Sequence, residues 1–457
     1  MREIKTVLIC GFGISGQAAA KLAIAMGMIP VIADERNTPD HLKVFQELQQ
    51  KRPEAKAFFN WNGNTPLPPC DLIVVSPGIR KNSALFIAAE KMKNQTTTML
   101  SELEFALKCL KKPFAAITGT NGKTTTTELT TALLQANGVR AESSGNIGTA
   151  LSECVLRTFT GEIDFLVIET SSFQLENIQT FPPCPAAILN LAGDHIDRHG
   201  SMEEYAKTKF RLITETMSPE NRIINTSLLP YLKKFLPETA VTLFSANDPS
   251  ADLSLQNEMI CFRNKVLLDT RTTELHGIHN IENMMAALAL LRAVKGEMAL
   301  FSPETAQALR SFRSSPHRVE CFAERNGIRY INDSKATNPH AVNAAVQMYG
   351  NGKNLHILLG GLDKGMDFHE LEVSFPAIRK AYLFGSCRES LQKTLENKVE
   401  YELFDSFQEA VYAACSNALS EECVMLSPAT ASMDMFKNYA ERGDKFKEFV
   451  LNFLNTH

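Results

Sequence analysis

Phe114-Ala115-Ala116-Ile117-Thr118-Gly119-Thr120-Asn121-Gly122-Lys123-Thr124 is an apolar run, a glycine-rich loop and the opening of a hydroxyl-rich helix. The apolar part, Phe114–Ile117, predicts a buried strand, and Thr124–Asn137 predicts a helix. A loop of this kind between strand and helix makes a nest of backbone N–H groups for a polyphosphate. Lys123 offers a charge to the β- and γ-phosphates, and the Thr124 hydroxyl suits Mg²⁺. The glycine expected at the head of the usual phosphate loop is replaced by Ile117. At this point a simple ATPase or a kinase remains open.

Working outward, Asp164–Ile168 reads as a second buried strand that delivers Glu169 at its end. A carboxylate there suits Mg²⁺, directly or through water. A third strand, Ala186–Leu191, runs into Asp194-His195-Ile196-Asp197. His195 is a metal ligand or a turn residue. Asn146, within Ser144-Gly145-Asn146-Ile147-Gly148, is a phosphate contact or a turn former. Glu203–Thr216 and Asn280–Val294 read as helices.

Toward the N-terminus, a strand at Lys5–Cys10 leads into Gly11-Phe12-Gly13-Ile14-Ser15-Gly16 and a helix over Gly16–Met26. Asp34 ends the next strand, Pro30–Ala33. This is the dinucleotide fingerprint, and it speaks for the diphosphate of a nucleotide more than for NAD. Ser76-Pro77-Gly78 ends a later strand, Leu72–Val75. Toward the C-terminus, strands at Arg329–Ile331, Leu355–Leu359, Ala381–Phe384 and Cys423–Leu426 each precede a turn, with helices between. Such alternation means parallel sheets with helices on their faces. The fold class is therefore α/β with three domains. A Rossmann-like N-terminal domain spans 1–101, a central phosphate-loop ATPase domain 102–313, and a Rossmann-like C-terminal domain 314–457.

The 457 residues carry 47 basic and 51 acidic side chains, a net charge of −4, which excludes the strongly basic balance of a nucleic-acid binder. No apolar run reaches the ~18 residues that a membrane span needs. Ten cysteines without a CxxC spacing read as small buried side chains in a reducing compartment, so the chain is expected in the cytoplasm. A monomer is expected, since no coiled-coil pattern stands out.

Taken together, these segments resemble the Mur ligases, ATP-dependent amide-forming enzymes of peptidoglycan synthesis. The similarity is carried by Thr118–Thr125, Asn190–Arg198, His279-Asn280 with Asn283, and Pro316-His317-Arg318. Three segments resemble the D-glutamate-adding branch: Asn332-Asp333-Ser334-Lys335-Ala336-Thr337-Asn338, Gly360-Gly361-Leu362-Asp363-Lys364, and Leu426–Asp434. Thr430 stands where that branch commonly has Cys, and Tyr439 where it has Phe.

The resemblance implies ATP, two Mg²⁺ ions and a carbamylated Lys209. Lys207 is an equally good lysine on the residues alone. Nucleotide contacts are implied for Gly119, Thr120, Asn121, Gly122, Lys123, Thr124, Thr125, Thr126, Asn280, Asn283, Arg318 and Asp333. Metal contacts are implied for Thr124, Glu169, His195 and Lys209, and catalytic roles for Lys123, Lys209, His195 and Asn146. The substrate UDP-N-acetylmuramoyl-L-alanine is expected at Ser15, Gly16, Asp34, Arg36, Ser76, Gly78 and Asn146. D-Glutamate and the edge of its site fall to His317, Lys335, Thr337, Lys364, Ser432 and Tyr439. The reaction implied passes through an acyl phosphate, and a site shared among three domains implies closure. The rival readings are a folate-type or sibling ligase, an NAD-dependent oxidoreductase built on the N-terminal fingerprint, and a nucleotide-binding module without chemistry.

Overall fold

The computed structural model describes residues 4–456 except 80, 148, 179–180, 194–198, 314–315 and 363–367; the side chains of Asn177 and His340 are also left aside. His195 and Lys364 lie outside the described residues. By packing, the chain divides into two compact units. The first comprises Met1–Leu191, Glu203–Thr273 and Ile281–Phe312; the second comprises Ala192–Met202, Glu274–Asn280 and Arg313–His457.

The first unit holds two sheets. One is built from β1 (Thr6–Cys10), β2 (Ile29–Ala33), β3 (Lys56–Phe58), β4 (Leu72–Val75) and β5 (Thr98–Ser101), in the order β3-β2-β1-β4-β5. All pairs are parallel. This is the doubly wound order, and its switch point lies between β1 and β4. The apolar runs are continuous because both faces are covered. Val7, Ile9 and Val74 pack to one side, Leu8, Cys10 and Ile73 to the other.

The other sheet has nine strands: β6 (Phe114–Thr118), β7 (Ala141–Gly145), β8 (Phe165–Glu169), β9 (Ala186–Ile188), β10 (Arg222–Asn225), β11 (Thr242–Ser245), β12 (Leu253–Gln256), β13 (Met259–Phe262) and β14 (Lys265–Asp269). Its order is β14-β13-β12-β11-β10-β9-β6-β8-β7. The last three strands form an antiparallel extension. Its two hairpins turn on Asn257-Glu258 and Arg263-Asn264, all four at positive φ, as two-residue turns of matching twist require.

The helix Lys123–Ala136 follows β6. Its run of threonines is unfavourable for a helix on χ1 grounds. Burial and back-bonding answer this: Thr130 and Thr131 hydroxyls donate to the carbonyls of Thr126 and Thr127 at 2.7 and 2.9 Å.

The two sheets of this unit share one core through the helices Ile14–Ala25, Glu102–Cys109 and Leu151–Phe159. Ser101, the last residue of β5, caps the helix Glu102–Cys109 by accepting from Glu104 N. Glu102 is buried at the seam, where Oε1 accepts from Ser152 N at 2.9 Å and Ser152 Oγ at 2.5 Å. Desolvation raises its pKa despite these bonds.

The second unit holds β15 (Glu320–Arg325), β16 (Ile328–Asn332), β17 (Leu355–Gly360), β18 (Ile378–Phe384), β19 (Tyr401–Leu403) and β20 (Cys423–Leu426), ordered β15-β16-β20-β17-β18-β19. Only β15 runs antiparallel. β20, the last strand in the chain, sits between β16 and β17. Neighbouring residues alternate between two buried faces: Ile331, Ile357 and Met425 on one, Tyr330, Leu358 and Val424 on the other.

Three sequence expectations change. The helix expected at Glu203–Thr216 ends at Phe210. There Leu212 and Ile213 turn inward and are buried, so the chain leaves the helix to bury them. The strand expected at Ala186–Leu191 stops at Ile188. The cysteines are all free and eight are buried, but Cys321 is exposed and Cys70 half-buried.

Candidate active site

The phosphate loop sits at the carboxyl end of β6, beside the ends of β8 and β9. Gly122 opens the following helix at φ +81°, and a Cβ there would meet Asn283 Oδ1 at 2.2 Å. Only glycine allows that approach. Asn283 in turn accepts from Thr126 Oγ1 at 3.2 Å. The loop tip is held by Asn190, whose side chain takes Asn121 N at 2.9 Å and gives to Asn121 O at 3.1 Å. Lys123 Nζ lies over the loop, donating to Gly119 O and Thr120 O at 2.9 and 2.7 Å. Thr125 is buried behind it.

Next to the loop lies an oxygen cluster. Thr124 Oγ1 donates to Glu169 Oε2 at 2.8 Å, and Asn146 Nδ2 to Glu169 Oε1 at 3.0 Å. Asn146 N also donates to Glu169 O at 2.9 Å. Glu169 is 2% exposed. A hydroxyl, a carboxylate and an amide oxygen are the hard donors that Mg²⁺ prefers, so the residues present fit that ion.

Lys209 and Lys207 now separate. Lys207 is 63% exposed and pairs with Glu204. Lys209 is buried, 1% exposed. Its Nζ donates to Gly119 O at 2.9 Å and lies 4.5 Å from the Tyr205 ring centroid. The Tyr205 hydroxyl meets Thr120 Oγ1 at 3.2 Å. Sequence reasoning missed Tyr205 and Asn190 as organisers of the loop; Lys209 stands four positions after Tyr205 on the helix, which is the spacing of one face.

The N-terminal loop is organised from within. Asp34 is buried and accepts from Phe12 N at 2.6 Å and Arg36 N at 2.8 Å. Arg36 Nε adds a longer contact of 3.4 Å. Ser76 Oγ donates to Gly11 O at 2.8 Å. A Cβ on Gly16 would fall 1.8 Å from Gly11 O. Asp34 and Ser76 thus shape the crevice at the switch point, with Ser15 half-buried and Gly78 exposed beside it.

In the second unit, β16, β20 and β17 end side by side, and their loops gather the remaining residues. Asp333 is buried; its carboxyl accepts from Ser427 Oγ at 2.8 Å and Val319 N at 3.2 Å. Desolvation raises its pKa from 3.8 to about 7, against the pull of these hydrogen bonds, Arg318 and Arg442. His317 stands at φ +68°. Its Nδ1 is 2.9 Å from Asn332 Nδ2, and burial lowers its pKa. Lys335 N donates to His317 O, and Lys335 Nζ lies 5.1 Å from the Tyr439 ring. Arg318 Nε is buried without a hydrogen-bond partner, a donor suited to an anion. Ser432 is buried and Thr337 half-buried. Asn280 donates to His276 O at 2.9 Å from the start of the helix Ile278–Lys295.

Sequence reasoning also missed Arg442. It is wholly buried, and its guanidinium donates to Ser334 Oγ (3.0 Å), Ser334 O (2.8 Å), Thr430 O (3.1 Å) and Gly360 O (3.3 Å). Burial lowers its pKa to about 10, which leaves it charged at neutral pH. A lone arginine in the sequence gives no sign of such a role.

Asp333 makes stability depend on pH. The folded chain holds the proton up to about pH 7, whereas an unfolded carboxyl loses it near 3.8. Below the lower value the neutral form's contribution is fully present, and it is lost as pH climbs toward the upper one. Asp333→Asn is expected to flatten the fall in Tm between pH 4 and 7, as followed by circular dichroism. An unchanged profile would place the titrating group elsewhere.

The similarities to known proteins cover all these parts. Residues 5–97 match the N-terminal domain of MurD-like Mur ligases, residues 117–291 the Mur ligase middle domain, and residues 317–430 the Mur ligase glutamate ligase domain. A UDP-N-acetylmuramoylalanine–D-glutamate ligase of Lachnospira eligens is 34% identical, with 98% of this chain and 99% of that one aligned. The chain belongs to the Mur ligase family, on its MurD branch. The ligase of the same name from Aquifex aeolicus is 31% identical over 97% of this chain and 98% of its own. Solved structures show the shared fold at lower identity. MurC of Thermotoga maritima has a TM-score of 0.62 at 16% identity, each chain fully covered. MurF of the same organism, solved with ADP, has a TM-score of 0.60 at 16% identity over 94% of this chain and 95% of its own. Family membership removes the oxidoreductase reading of the N-terminal glycine motif.

Proposed function

We propose that the chain is an ATP-dependent ligase that joins D-glutamate to UDP-N-acetylmuramoyl-L-alanine. The observation that carries this reading is the end-to-end similarity, at about a third identity, to ligases of that name. The three domains take separate tasks. Residues 1–101 hold the UDP part at the switch-point crevice formed with Ser15, Gly16, Arg36 and Gly78. Residues 102–313 hold ATP, with Asn283 beside the loop and Asn280 toward the base. Residues 314–457 hold D-glutamate through Lys364, Thr337 and Ser432, with Tyr439 at its edge. His317, Arg318, Asp333 and Lys335 serve the nucleotide or the incoming amine.

Amide formation from a carboxylate in water is uphill, so the carboxylate is activated first. Its oxygen attacks the ATP γ-phosphorus, the bond to the β-bridging oxygen breaks, and ADP leaves an acyl phosphate. The D-glutamate nitrogen attacks the acyl carbon, sheds a proton, and expels inorganic phosphate. Lys123 and the loop N–H groups stabilise the charge on the transferring phosphoryl group. Thr124 and Glu169 would hold one Mg²⁺, and His195 with a carbamylated Lys209 the other. Bound there, the ions neutralise phosphate charge. Asn146, already braced on Glu169, orients the acyl group.

Ten free cysteines and the absence, among the described residues, of a helix able to cross a membrane support a cytoplasmic site of action, and we take the working form to be a monomer. Phosphate release with product mass tests the reaction, using ATP, Mg²⁺, UDP-N-acetylmuramoyl-L-alanine and one of D-Glu, L-Glu, L-Lys or diaminopimelate. A conjugate with D-Glu alone is expected. A conjugate with another amino acid would overturn the specificity, and none at all would overturn the ligase reading.

A further inference from the structure

We infer that Arg442 is the positioning residue that sets the spacing of the three strand-end loops holding the incoming amino acid. The inference rests on the proposed D-glutamate ligase activity. The loops follow β16, β17 and β20, three adjacent parallel strands. Each gives Arg442 at least one acceptor. Ser334 offers its carbonyl and hydroxyl, one and three residues before Lys335 and Thr337. Thr430 offers its carbonyl two residues before Ser432. Gly360 offers its carbonyl at the head of the loop that carries Lys364.

One planar group therefore fixes the spacing of the chain segments that lead to Thr337 and Ser432, the described residues assigned to the glutamate carboxylates. The loops are drawn close around it. A Cβ on Gly361 would meet Arg442 Nη1 at 3.0 Å and Ala431 O at 2.2 Å. Leu362 N donates to Ala431 O at 2.8 Å, tying the β17 and β20 loops directly. Arg442 itself is anchored at the start of the helix Tyr439–Thr456, and Ser334 Oγ donates to Tyr439 O at 2.7 Å.

Lysine cannot replace this arrangement. Its three donors radiate from one nitrogen, whereas the acceptors here surround a rigid fork of three nitrogens. Without the fork, the loops separate and the carboxylate contacts lose register with each other. Formation of the acyl phosphate does not use Thr337 or Ser432, and the nucleotide-side residues of the β16 loop, Asp333 and Lys335, are held apart from Arg442 by Ser427, Val319 and His317.

The test is Arg442→Lys, with Ser334→Ala as a milder second variant that removes one acceptor of Arg442 together with the hydroxyl's bond to Tyr439 O. KM for D-glutamate is expected to rise about tenfold in Arg442→Lys, the worth of one charge-assisted hydrogen bond, and about threefold in Ser334→Ala. KM for ATP, and acyl phosphate trapped by hydroxylamine without D-glutamate, are expected to stay within twofold. Loss of the trapped acyl phosphate in parallel with coupling would make Arg442 a structural residue only and overturn the inference, as would an unchanged KM for D-glutamate in both variants. The wild-type chain is the control for the underlying reading. If it couples another amino acid, the specificity fails, and the same comparison made with that amino acid judges Arg442.

Discussion

Lys123→Ala is expected to cut phosphate release and conjugate formation by roughly 10²–10³-fold, the scale of removing one preorganised donor from a developing charge. The lysine follows Gly122 and reaches back over the loop, where its ammonium lies against the carbonyls of Gly119 and Thr120. A triphosphate in the nest draws that charge toward its bridging and terminal oxygens. Alanine keeps the helix and removes the charge. The buried packing of the helix rests on Leu129, Leu133 and Leu134, not on this side chain, so Tm is expected to move little. A folded Lys123→Ala chain with full activity would remove the phosphate loop from the mechanism.

Glu169→Gln is expected to lower activity by about 100-fold and to move the Mg²⁺ midpoint upward by more than tenfold. The substitution keeps size and shape but removes the negative charge. It also upsets the hydrogen bonding. The carboxylate accepts from both Thr124 and Asn146, whereas an amide presents one acceptor and one donor. The Thr124 hydroxyl can turn to accept, so the cluster survives with altered polarity. Raising Mg²⁺ should restore part of the rate if the carboxylate works through the ion. A rate that falls with no change in the Mg²⁺ midpoint would make Glu169 a brace for Asn146 alone.

Much of this architecture was readable from residues, for definite reasons. Parallel strands buried on both faces leave continuous apolar runs such as Ala115–Ile117 and Ile357–Leu359, and a glycine loop after such a run marks a phosphate site. The antiparallel extension β12–β14 went unread because Asn257-Glu258 and Arg263-Asn264 lack the glycine that usually signals a two-residue turn. The hairpin joining β15 to β16 does carry that signal, Asn326-Gly327, both at positive φ, yet β15 too went unread.

Within the site, Lys123, Thr124, Glu169 and Asn146 come together as their places at strand ends suggested. Lys209 was distinguishable from Lys207 only by resemblance, because burial on a short helix depends on what packs over it. Asn190 and Arg442 hold loops mainly through backbone atoms of distant residues, and Tyr205 does so through the Thr120 hydroxyl. That kind of contact leaves no spacing in the sequence.

The cap and the seam at Ser101 and Glu102 bear on how such proteins can be recombined. The obvious crossover for exchanging the N-terminal module with that of a relative is the end of its sheet. A splice there would separate the helix Glu102–Cys109 from its capping serine. Moving the splice past Cys109 would instead part Glu102 from Ser152, leaving a buried carboxyl facing a foreign surface. Viable chimaeras must therefore carry the capping residue, that helix and the opposing Leu151–Phe159 surface as one inheritable block. The unit of exchange is larger than the domain that a sequence boundary suggests.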